Sequence, residues 1–146
     1  MSLPVLLLRT LLAFALLVML ACTGTRHDDA VLYRELGGQS GITAIVDGFL
    51  YELAEDTDVL PLFANTDIDR FREKFIEQLC DVSGGPCEYS GDNMRETHRD
   101  MQVTRAQFNS VVEDLIRAME RRDVPVGAQN RLLKRLAAMY GDIVYR

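Results

Sequence analysis

From residue 40 onward the apolar positions recur at intervals of three and four, and no stretch alternates in the way a strand requires. Ile42, Ile45, Val46, Phe49, Leu50 and Leu53 keep the spacing of one buried helical face. Ser40, just after the Gly37–Gly38 turn, is placed to cap that helix. Pro61 marks a short connection. Thr66 or Asp67 then caps a second helix, which carries Phe71, Phe75 and Leu79 at four-residue spacing until Gly84-Gly85-Pro86 stops it. The polar loop CEYSGD (87–92) precedes a short helical run, NMRETHRDM (93–101). Thr104 and Gln107 form a capping box that opens a helix with Phe108, Val111, Val112, Leu115 and Met119 on one side. Pro125 suits a helix start, and the last helix buries Leu132, Leu133, Leu136, Met139, Tyr140 and Ile143. Four substantial helices, some minor ones and no sheet predict an all-α fold.

The first 30 residues break the pattern. LLLRTLLAFALLVMLAC (6–22) places Arg9 before an apolar run from Leu11 to Ala21, well short of the roughly 20 residues a membrane-spanning helix needs. A basic start, a short apolar stretch and a small residue before Cys22 predict a signal peptide over 1–22 and hence an exported protein. MLAC (19–22) resembles a bacterial lipoprotein box, which would make Cys22 the lipidated first residue on the periplasmic side of a membrane. Plain cleavage and an uncleaved anchor are the alternatives. Polar TGTRHDD (23–29) begins a linker over 23–30, followed by one domain over 31–146.

Composition is ordinary for a globular chain, at 48% apolar and 26% charged residues. Charge is more selective. Loss of residues 1–22 removes Arg9 and no acid, leaving 15 basic against 22 acidic residues. That excess argues against a nucleic-acid partner, since phosphate binding needs a basic face. Export also changes how the cysteines read. Apart from Cys22, Cys80 and Cys87 flank Ser83-Gly84-Gly85-Pro86, and a disulfide there would close a small loop; a free buried pair is the alternative.

The candidate chemistry centres on His98. A G-x-S-x-G elbow, a C-x-x-C-H haem attachment, a P-loop and a dinucleotide fingerprint are all missing from the sequence. A zinc site from Cys80, Cys87 and His98 lacks a fourth ligand. Non-covalent haem, by contrast, needs one imidazole and an apolar slot. Phe71, Phe75 and Leu79 with Phe49 and Leu50 could wall such a slot, or could equally be plain core of a helical bundle. Two features fit a plain bundle poorly: the loop over 84–92 is long, and the segment after it is short for a bundle helix.

LYRELGGQSGITAIVDGF (32–49), LPLFANTDIDR (60–70), the GGPCEYSG loop and MRETH (94–98) together resemble a truncated haemoglobin of the first group, from about Val31 to Ile143. The resemblance implies a two-over-two helical sandwich with an irregular stretch before the proximal helix, and non-covalent haem b as cofactor. It implies His98 as the proximal iron ligand and Phe63 packing on the haem. Met94 would line the proximal side, and Lys74 would pair with a propionate. Leu50, Phe71, Phe75 and Leu79 fall at distal positions, and Phe49 and Val111 complete the cofactor-binding set.

The sequence departs from the best-known members, whose distal tyrosine and glutamine donate hydrogen bonds to bound oxygen. Leu50 and Phe75 stand at those positions, and Tyr51 lies about 100° further round the helix. Gln78 is the best remaining donor, and Tyr89 could bond near the haem edge. The expected function is reversible binding of a diatomic gas: oxygen, nitric oxide or carbon monoxide. Oxygen transport, sensing and nitric oxide dioxygenation with an external electron donor are not separated. The alternative is a membrane-tethered helical lipoprotein, a binding or structural module without cofactor. A peroxidase-like enzyme is a weaker third reading, since the matched positions offer no distal acid or base.

Overall fold

A computed structural model describes residues 31–146. The signal segment, Cys22, His27 and the linker lie outside the described residues. Within them every regular element is helical, as the periodicity predicts. After a helical turn over 31–35 come α1 (Gly38–Glu55), a 3-10 turn (Leu60–Phe63), α2 (Ile68–Val82), α3 (Met94–Thr97), α4 (Arg105–Glu120), α5 (Val126–Ala137) and α6 (Tyr140–Ile143). No helix among these residues is long and apolar enough to cross a membrane.

Local chemistry sets most boundaries. Asp67 caps α2 by accepting from the Arg70 amide at 3.0 Å. Thr104 and Gln107 form the expected reciprocal box at the start of α4. Ser40 does not cap α1. That helix starts two residues earlier, at Gly38, and its cap is Gly37 in a left-handed conformation (φ 87°), which only glycine adopts without strain. The Ser40 hydroxyl instead donates to the Gly37 carbonyl at 3.4 Å. The expected final helix is two pieces, interrupted at Ala138 and Met139.

The core gathers around α1, which packs against both α2 and α4. Ile42, Ile45, Val46, Phe49 and Leu53 from α1 meet Leu79 of α2, Leu115 and Met119 of α4 and Leu132 of α5, all buried. Cys80 and Cys87 are joined in a disulfide with Cα atoms 5.8 Å apart. It anchors the long loop to the end of α2. Further along, the Ser90 hydroxyl and amide both donate to Glu77, at 2.8 and 3.2 Å. Tyr89 lies so close over Gly91 that a Cβ there would meet its hydroxyl oxygen at 2.3 Å. The irregular 83–93 stretch is thus pinned against α2 and delivers the chain to α3 in a fixed place.

Candidate functional site

α3 is a single turn, capped at its start by Asn93, whose side chain accepts from the Glu96 amide at 3.0 Å. His98 terminates it. The His98 Nδ1 lies 2.8 Å from the Met94 carbonyl oxygen. A carbonyl can only accept, so Nδ1 carries the hydrogen, and in the neutral imidazole Nε2 keeps its lone pair. This is the arrangement that prepares an imidazole as a metal ligand: one nitrogen fixed by a backbone carbonyl, the other free to coordinate. His98 is half-buried, neither sealed in the core nor fully in water. Among the described residues no group of three or more His, Cys, Asp or Glu could hold a metal ion by itself.

The apolar wall is a ladder of phenyl rings. Phe71 and Phe75, one turn apart on α2, stack at 5.7 Å. Phe63, from the 3-10 turn, meets Phe71 edge-on at 5.2 Å, and Phe49 from α1 meets Phe75 at 5.1 Å. Such ring pairs stabilise by about 1 kcal/mol each beyond their buried area. Phe49 and Leu79 are buried to the core, whereas Phe63, Phe71 and Phe75 are only half-buried, as are Leu50 and Val111. Large apolar side chains left half-covered mark a surface suited to a flat apolar ligand.

Polar groups near the wall are few. Gln78 is 9% exposed, and its amide nitrogen reaches two thioethers, Met94 Sδ at 3.4 Å and Met139 Sδ at 3.5 Å. Sulfur is a weak acceptor, so this buried donor is poorly satisfied. Through Met94 it is linked to the turn whose carbonyl orients His98. Lys74 holds Glu77 at 2.9 Å and the Ser90 hydroxyl at 2.8 Å, and the Glu77 contact raises its pKa. The Tyr89 hydroxyl donates to the Asp92 carbonyl at 2.9 Å, within its own loop, and burial pushes the phenol pKa up.

A second polar cluster was not anticipated from the sequence. Asp114 is fully buried between α1 and α4 and pairs with Arg117, which also donates to Glu52 at 3.0 Å. Arg121 reaches Glu52 at 2.6 Å. Burial pushes the Asp114 carboxyl up, against the opposing pull of Arg117. The signal was present, since Asp114 sits on the spacing Val111, Asp114, Leu115, Ala118, Met119, and Glu52 on Ile45, Phe49, Glu52, Leu53.

The sequence profile of the bacterial-like globin family matches residues 31–145. The chain is 30% identical over 115 residues to a group 1 truncated hemoglobin GlbN of Nostoc sp. (strain MUN 8820), covering 79% of this chain and 98% of the relative. It is likewise 30% identical over 103 residues to a group 1 truncated hemoglobin of Tetrahymena pyriformis, covering 70% of this chain and 85% of that one. The crystal structure of the Tetrahymena pyriformis truncated hemoglobin in its Fe(III) form is similar in fold, with a TM-score of 0.76 at 28% identity, covering 79% of this chain and 98% of that one.

Proposed function

Because the chain belongs to the bacterial-like globin family, in its group 1 truncated haemoglobin branch, we propose that it would hold haem b through His98 and bind a diatomic gas there. Haem supplies an iron with one position for a protein ligand and one for a gas. The residues of this chain suit that group. The single observation that carries the reading is the His98 Nδ1 contact to the Met94 carbonyl, which leaves Nε2 free in a half-buried setting. The half-covered rings of Phe63, Phe71 and Phe75 provide the flat apolar surface.

This chain's own chemistry also sets the ligand preference. Leu50, Phe71 and Phe75 have no hydrogen-bond donor to offer a partly negative dioxygen. Beside a bound haem they would present an apolar wall. Carbon monoxide and nitric oxide need no such donor, so they are favoured over oxygen more than a donor-rich wall would allow. Gln78 is the amide that could still donate, and it would have to turn away from its two sulfurs. A haem propionate at Lys74 would have to join or displace Glu77. The Cys80–Cys87 disulfide supports export, because such bonds persist in oxidising compartments, and tethering through Cys22 rests on the MLAC (19–22) sequence.

Titration with haemin tests the reading. The wild type should take up one equivalent with a strong Soret band and a higher melting temperature, since a ligand that prefers the folded state stabilises it. His98→Ala should keep its fold and lose tight uptake. Equal uptake by both proteins, or no uptake by the wild type, would reject it. The cofactor-free module has no observation in its favour.

A further inference from the structure

The described domain is acidic as a whole, with 14 basic against 20 acidic residues over 31–146. Its most basic stretch is at the C-terminal end. Residues 126–146 hold Arg131, Lys134, Arg135 and Arg146 against the single acid Asp142. Three of these cations follow one another on α5 and line a cleft with Val31 and Glu35. Glu35 pairs with Arg131, and Arg135 donates to the Val82 carbonyl at 2.7 Å. Lys134 is exposed, and no ion pair to it occurs among the described residues.

Val31 is also where the domain continues into the linker and Cys22. Eight residues, 23–30, separate Val31 from Cys22, and at full extension they reach about 28 Å. A lipid on Cys22 would therefore hold this edge close to the bilayer. The rest of the domain is net acidic, with 10 basic against 19 acidic residues, and would be repelled on balance from anionic headgroups, while the α5 cleft would be attracted to them. We infer that the cleft formed by Val31 and the basic face of α5 rests on an anionic phospholipid surface and fixes how the domain stands on its membrane. The inference rests on the reading of Cys22 as a lipid anchor.

The chain contains two lysines, Lys74 and Lys134, so one can report and the other can serve as reference. The full chain, purified from membranes of cells producing it, is reconstituted into vesicles of phosphatidylcholine alone or mixed with phosphatidylglycerol. A water-soluble acylating reagent is added, and the modified peptides are quantified by mass spectrometry. Lys134 should react about five-fold more slowly on the phosphatidylglycerol vesicles at low salt, and the difference should vanish at high salt. Lys74 should react alike on both. Equal Lys134 rates beside a lipidated Cys22 peptide would overturn the surface alone. A Cys22 peptide without lipid would overturn the anchor and the surface with it.

Discussion

His98 and Gln78 show how a single contact sets what a residue can do. The Met94 carbonyl fixes which nitrogen of His98 is bare. Gln78 is buried yet has only thioether partners, so its amide adds little to folding. Gln78→Leu should leave stability unchanged or raise it by up to about 1 kcal/mol in urea unfolding. If the amide instead turns toward a bound gas, the same variant should release oxygen faster in stopped-flow mixing and leave carbon monoxide release nearly unchanged. A loss of stability would show that Gln78 has a stronger partner than sulfur. Arg117 has the opposite character. It is the shared partner of Asp114 and Glu52, both buried. Arg117→Leu would strand Asp114 and leave Glu52 to Arg121 alone, and should cost about 3 kcal/mol in the same assay, the lower end for a broken buried pair because Arg117 is itself partly exposed. A change near zero would mean that Asp114 is accommodated without Arg117. No sequence pattern could pair Gln78 with Met139, which lies 61 residues away. The buried acids, by contrast, were missed although they stand as charges on an apolar spacing.

Between elements, the loops are held by side chains that reach a neighbouring helix. Asp56 follows α1 and accepts from the amides of Asp58 and Val59 at 2.9 and 3.2 Å and from the Ser110 hydroxyl on α4. The Ser110 bond above all holds its pKa below the usual carboxylate range. A lowered folded-state value stabilises the fold above the unfolded-state value, and that stability is lost as pH falls through the folded-state value. Asp56→Asn should therefore flatten the acid limb of a stability-against-pH curve below about pH 4. A limb as steep as that of the wild type would show that Asp56 contributes nothing to it. Replacing Cys80 and Cys87 by serine should lower stability by about 2 kcal/mol, the entropy of a short closed loop. It should also raise the exchange rate of amides in the 84–92 loop. An unchanged exchange profile would mean that Tyr89 and Ser90 hold the loop unaided. At this scale the sequence was informative where the signal is local, as in the Asp67 cap and the Thr104–Gln107 box. It misled at Ser40, because the left-handed Gly37 already starts the helix, and at Ala138–Met139, where apolar spacing continues across a break in the backbone.

For the whole molecule, the fold class and the place of His98 at the end of a short turn followed from spacing, loop length and family resemblance. The phenyl ladder did not follow from spacing alone, since a stripe of Phe71, Phe75 and Leu79 reads equally as plain core. In three dimensions Leu79 is buried in the core, whereas Phe71 and Phe75 pack against it and keep exposed surface. In the proposed function the Nε2 atom of His98 holds the haem iron. Resonance Raman spectra of the dithionite-reduced, gas-free protein read that bond. The wild type should show an iron–imidazole stretching band, which His98→Gly should lack and added free imidazole should restore in that variant. The same band persisting in His98→Gly without imidazole would place the iron on another ligand and contradict the account.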